Sequence, residues 1–223
     1  MSKYIRLNIT TEGATELRFI KDVLFKHLQP YHVYCDYRSV LTSKEYRKRG
    51  GITNYFKAKK DIQQWMHSEN SSDRRFTTMF DYYALPDDFP GYSDAQKLIN
   101  PYDKVRCIET AFASDINDNR FIPYIQLHEF EALLFSNLDV ILLEYEDKRT
   151  EVESLKKVLY QANNNPELID DKKETSPSHR IIAQIPEYQK VSSGALIADL
   201  ISVEVLREKC LHFNEWLTKL EKL

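Results

Sequence analysis

The chain is short of several things, and each shortage closes off a class of protein. No apolar run reaches the roughly 18 residues that a membrane-spanning helix needs, so no partner membrane is expected. The cysteines, Cys35, Cys107 and Cys210, are widely spaced and lack a Cys-x-x-Cys pair, which argues against a disulfide framework and a zinc site. Five glycines and eight prolines in 223 residues do not make a long flexible linker. Nor do the glycines form a phosphate-cradling loop followed by Lys-Ser or Lys-Thr, so any ATP hydrolysis must come from another protein. The amino terminus lacks the apolar centre of a secretory signal, and the expected compartment is cytoplasmic.

What remains is ordinary in bulk, with 42% hydrophobic and 29% charged residues, and long enough for one sizeable core. The formal net charge of −3 hides an asymmetry. Residues 38–60 hold Arg38, Lys44, Arg47, Lys48, Arg49, Lys57, Lys59 and Lys60 against a single acid, Glu45. Such a segment beside an acidic body suits a polyanion, DNA or RNA, with Arg47, Lys48, Arg49, Lys57, Lys59 and Lys60 as the candidate backbone contacts. A solvated loop and helix face is the plainer alternative.

Hydrophobic spacing alternates between strand and helix. Strands are expected at 4–9, 32–41, 76–80 and 121–127, and helices follow the first at Leu17, Ile20, Val23, Leu24 and Leu28 and the second at Ile52 to Met66. A further helix runs from about 103 to 113. This order predicts an α/β fold, a mostly parallel sheet flanked by helices. Residues 1–145 form the expected core, and 146–223 a helical extension packed on it. Residues 170–178 read as a polar loop. One final helix carries Val203, Leu206, Cys210, Phe213, Leu217 and Leu220, a seam suited either to the chain's own sheet or to a second copy.

Carboxylates collect where these strands end: Glu12, with Glu16 in the following helical turn, then Asp81, then Glu129 and Glu131. In a parallel sheet all carboxyl ends open on one edge, so acids distant in sequence can converge. Clustered carboxylates repel, and Mg²⁺ or Mn²⁺ relieves that cost with the hard oxygen ligands these ions prefer. Glu16 alone has a simpler explanation, a capping-box partner to Gly13 at a helix start. Glu129 and Glu131, two apart, converge only if the backbone there is extended.

These residues carry a resemblance. Glu12-Gly13-Ala14-Thr15-Glu16, Phe80-Asp81-Tyr82-Tyr83 and His128-Glu129-Phe130-Glu131-Ala132-Leu133-Leu134 together resemble the Toprim fold, the metal-binding core of topoisomerases, primases and the overcoming-lysogenisation-defect (OLD) nucleases. With Tyr188-Gln189-Lys190-Val191 and Cys210-Leu211-His212-Phe213-Asn214-Glu215-Trp216, the wording is closer still to a small bacterial Toprim-like family of unknown function. The resemblance implies a Rossmann-like sheet, metal ligation by Glu12, Glu16 and Asp81, and a second wall from Glu129 and Glu131. It implies a catalytic role for Glu12, Asp81 and Lys190, with Lys190 in a loop near the scissile phosphate. It further implies a nuclease paired with an ABC/AAA-type ATPase in bacterial phage defence. Tyr83 departs from the family pattern, standing where the second acid of Asp-x-Asp belongs, with Asp87 or Asp88 as substitutes. A non-catalytic module that binds the ATPase or a nucleic acid is the rival expectation, and a small-molecule phosphohydrolase a third.

Overall fold

Ile5, Leu7 and Ile9 face one side of the first strand, β1 (Ile5–Thr11), and Asn8 and Thr10 on its other side are buried too. A strand covered on both faces belongs inside a parallel sheet. In the computed structural model, which describes residues 4–40, 52–169 and 175–223, β1 lies between β2 (Val33–Ser39) and β3 (Arg74–Asp81). The order is β2-β1-β3-β4, with β4 (Phe121–Ile122) and β5 (Ile125–Gln126) both pairing with β3, and every pairing is parallel. The register aligns Thr11 with Ser39 and Met79, and Asp81 with Gln126, so these strands end together on one edge.

Helices cover both faces. On one, α3 (Tyr55–Ser68), the short α4 (Tyr92–Ala95) and α5 (Pro101–Ile116) bury Phe76, Phe80, Phe121 and Ile125. Asn54 caps α3 by accepting from the Lys57 N–H, and Asn100 caps α5 with Pro101 in its first turn. On the other face, α1 (Ala14–Phe19) runs through a π-helical stretch, Ile20–Leu24, into α2 (Phe25–Leu28). Against it lie α6 (Arg149–Gln161), α7 (Pro177–Gln184), α8 (Lys190–Ile201), α9 (Val203–Lys209) and α10 (Leu211–Glu221). Phe213, Leu217 and Leu220 share one hydrophobic cluster with Ile5, Leu7 and Ile9, so the carboxyl-terminal helices are packed on the sheet. The chain therefore forms the expected α/β fold, a mostly parallel sheet flanked by helices with a helical carboxyl-terminal part. Among the described residues no helix is long and apolar enough to cross a membrane.

Four local expectations are corrected. The strand expected over 121–127 is split, because Pro123 has no N–H to give the ladder. Thr78 takes over there, its hydroxyl pairing at 3.0 Å with both the N–H and the carbonyl of Tyr124. The expected final helix breaks at Cys210, where Glu167 inserts a carboxylate that accepts the His212 and Phe213 N–H groups, each at 3.0 Å. The polar stretch after 170 becomes helical from Pro177. Lys190, expected in a loop, is the first residue of α8.

Candidate metal centre

Glu12 leaves β1, and its Oε2 lies 3.4 Å from the Asp81 N–H at the end of β3. The turn between Glu12 and α1 is tied down by Thr11 and Ser39, whose hydroxyls donate to the Gly13 carbonyl at 3.1 and 3.3 Å. Glu16 then reaches back, its Oε2 accepting the Gly13 N–H at 2.8 Å. The capping role is thus present, and the same bond orients Glu16 within the acidic group.

The second wall follows β5. Glu129 has extended backbone, φ −155° and ψ 168°, and only at Phe130 does a 3₁₀ helix, Phe130–Ser136, begin. That extension lets Glu129 and Glu131 meet a common partner: Lys190 Nζ is 3.4 Å from Glu129 Oε2 and 3.5 Å from Glu131 Oε2. Glu129 is further held by Ser178, whose N–H donates to one oxygen and whose hydroxyl donates to the other at 2.9 Å. Ser178 escaped sequence reasoning. The signal was Pro177 after Ser176, a helix-start pair followed by first-turn N–H groups that have no partner within the helix and attract a carboxylate.

Burial and mutual repulsion strain this group. Burial first, then Glu16, pushes Glu12 up to about 7, although the Asp81 N–H and Lys190 oppose it. Burial also pushes Glu131 to about 7 and raises Glu16, with Lys190 opposing both. Asp81 is held well above the usual carboxylate range by burial and then by Glu16, Glu12, Glu131 and Glu129. Burial works against the Lys190 ammonium, but Glu131, Glu129 and Asp81 outweigh it and raise its pKa.

The donors suit a hard divalent cation in chemistry. Asp81 Oδ1 and Glu131 Oε1 are buried without hydrogen-bond partners, an arrangement that ordinarily costs on the order of 1–3 kcal/mol each. Glu12, Glu16, Asp81 and Glu131 are the residues that would hold such an ion, while Glu129 is largely engaged by Ser178 and Lys190. Among the described residues, no three His, Cys, Asp or Glu side chains stand in metal-binding geometry as they are.

Tyr83 is not a ligand in disguise. Its hydroxyl pairs with His128 Nδ1 at 3.0 Å, and its N–H donates to the His128 carbonyl at 3.1 Å. The other ring nitrogen, Nε2, lies 3.0 Å from the Glu167 carbonyl, which can only accept, so in the neutral ring Nε2 carries the proton. His128 is therefore a brace in the left-handed region (φ 63°) that turns the chain from β5 into Glu129. Asp88 does not replace the second acid, because its carboxylate accepts the Tyr55 N–H at the start of α3. Asp87 is exposed.

The basic residues divide. Arg47, Lys48 and Arg49 lie outside the described residues. Lys57, Lys59 and Lys60 sit on α3, and Lys59 is paired with Asp115 at 2.8 Å. Arg38 is committed to Asp61 at 3.0 Å and lies 4.2 Å from the centre of the Trp65 ring. Arg180 donates to the Thr175 carbonyl.

Residues 11–221 match the model of a family described as a domain of unknown function, DUF4276. No curated protein and no solved structure matches the chain.

Proposed function

The chain belongs to the DUF4276 family, and we propose that it is a divalent-metal-dependent phosphodiesterase of the Toprim type that cleaves DNA or RNA. The observation that carries this reading is the group of carboxylates gathered at the carboxyl edge of the sheet. Two buried carboxylate oxygens there have no partner, and one lysine stands among the acids. A buried acceptor without a partner costs stability, and a cation bound there would remove that cost.

Mg²⁺ or Mn²⁺ in such a pocket makes a bound water more acidic and neutralises charge on a phosphate. The chain's own residues supply the rest. Glu12, Glu16 and Asp81 present oxygens from the ends of β1 and β3. Glu131 adds one from the second wall, and Ser178 keeps Glu129 from swinging away. Lys190 offsets charge building on the phosphoryl oxygens. Arg47, Lys48, Arg49, Lys57, Lys59 and Lys60 would hold the nucleic-acid backbone by sequence-independent contacts. An ABC/AAA-type ATPase is the proposed partner, with phage defence as the setting.

The test is nuclease activity on DNA and RNA with Mn²⁺, with and without the ATPase. Glu12→Gln and Asp81→Asn should each lower cleavage by at least about a hundredfold while leaving nucleic-acid binding intact. A rival reading, a non-catalytic module that binds nucleic acid or the ATPase, is favoured by one observation: among the described residues no three donors close on one point as they stand. Nucleic-acid binding without cleavage in any of these conditions would select the rival.

A further inference from the structure

The pocket contains a cation of its own. Lys190 Nζ stands within 3.5 Å of both Glu129 and Glu131. Its charge also acts on Glu12 and Glu16, and Asp81 acts on it in return. Packing sets where this lysine begins. Gly194, one turn along α8, lets the helix approach so closely that a Cβ there would meet the Tyr188 hydroxyl at 2.9 Å and Phe130 at 3.3 Å. The lysine side chain itself is 43% exposed, so its flexible stem has a way out toward solvent.

A second observation marks the place as a cation site in its own right. Glu131 is only 2% exposed, and while its Oε2 faces the lysine, its Oε1 makes no well-formed hydrogen bond, with the buried Tyr188 hydroxyl a neutral donor acting on this carboxylate. One ammonium does not satisfy the wall it sits against.

We infer that Lys190 is a tethered counter-ion that a divalent cation displaces from Glu129 and Glu131, so that the lysine is released toward a substrate phosphate only when the metal is in place. The inference rests on the metal-dependent reading above. A divalent ion and an ammonium confined to the same few ångströms repel one another, and the ion carries the larger charge on the shorter bonds. Once Glu131 turns to the ion, the ammonium keeps only Glu129, which Ser178 already holds at both oxygens, and repulsion by the ion drives it on to the next anion in reach, the substrate's. Metal binding and phosphate presentation are coupled through one side chain, and the coupling runs equally in both directions.

The experiment measures Mn²⁺ binding to the full chain by electron paramagnetic resonance at fixed pH, for wild type, Lys190→Met and Lys190→Arg. Lys190→Met is expected to bind Mn²⁺ about tenfold more tightly than wild type, within the ordinary range of linked sites. Lys190→Arg, which keeps the charge, should stay near wild type and serves as the folding control. In parallel, acylation of Lys190 by an amine-reactive probe, read by mass spectrometry, should rise when Mn²⁺ is added. Mn²⁺ affinity in Lys190→Met equal to or weaker than wild type, with unchanged labelling, overturns the inference. If Asp81→Asn still weakens Mn²⁺ binding in that case, the metal reading stands. Absence of Mn²⁺ binding in all three proteins overturns both.

Discussion

Glu131 keeps one oxygen against Lys190 and the other buried without a well-formed hydrogen bond, and its carboxyl is pushed up to about 7 from an ordinary 4.5. Between those values the folded chain binds more protons than the unfolded one, so this group's contribution is complete below the ordinary value. It is lost as pH rises toward 7. Glu131→Gln, which cannot ionise, is predicted to be more stable than wild type by about 1–3 kcal/mol at pH 8 and close to wild type at pH 5. Urea denaturation without divalent ions at the two values checks this; a less stable variant at pH 8 would mean that the ion pair with Lys190 outweighs burial. Tyr83 supports a second prediction. Its hydroxyl holds His128, and an aspartate there is too short to keep that bond. Tyr83→Asp should therefore lower stability by about 1 kcal/mol, the ordinary worth of one hydrogen bond, without adding a second bound Mn²⁺. A rise in Mn²⁺ stoichiometry would show that the position can ligate after all. The acids of this pocket were legible in the sequence because each falls where a strand pattern stops. Ser178, His128 as a brace and the double contact of Lys190 were not, since they depend on where α7 and α8 pack rather than on any spacing along the chain.

At the scale of elements, α8 is the piece that closes the pocket, and Gly194 decides how near it comes. In an exposed helix, alanine in place of glycine gains up to about 1 kcal/mol. Here the added methyl group meets Tyr188 and Phe130, both buried and unable to retreat cheaply. Gly194→Ala is predicted to lose about 1–3 kcal/mol net in thermal denaturation and to weaken Mn²⁺ binding by shifting the start of α8; a more stable protein would show that Tyr188 has room to move. The same dependence on distant side chains explains which elements the sequence revealed. Apolar periodicity found β1, β3, α3, α5 and the mostly parallel sheet their alternation implies, because burial on a face is written locally. It missed the break at Cys210, since a helical seam continues through it and only the carboxylate of Glu167, more than forty positions earlier, ends α9 and starts α10. It likewise ran a strand through Pro123, whose lost ladder bond is replaced by a threonine on β3.

Across the whole molecule, the carboxyl-terminal helices bury Ile5, Leu7 and Ile9 of β1, the strand that leads directly into Glu12, so the pocket and the hydrophobic core are one construction. Stability and metal affinity should therefore be linked through protons. Without a divalent ion, Glu12 and Glu131 at about 7, together with the raised Glu16 and Asp81, favour the protonated pocket. An ion that needs ionised ligands must drive those protons off, so its apparent affinity falls as pH drops. At pH 8 Glu12 and Glu131 are ionised at a cost to folding, and an ion that binds only the folded chain removes that cost and adds its own binding energy. At pH 5 most of that carboxylate charge is already removed by protons. Saturating Mn²⁺ is thus predicted to raise the melting temperature markedly at pH 8, by about 4 °C or more for a gain of 2 kcal/mol in a domain of this size, and hardly at all at pH 5. Asp81→Asn should show little shift at either pH. Equal shifts at both values, or a full shift in Asp81→Asn, would place the ion somewhere other than this pocket.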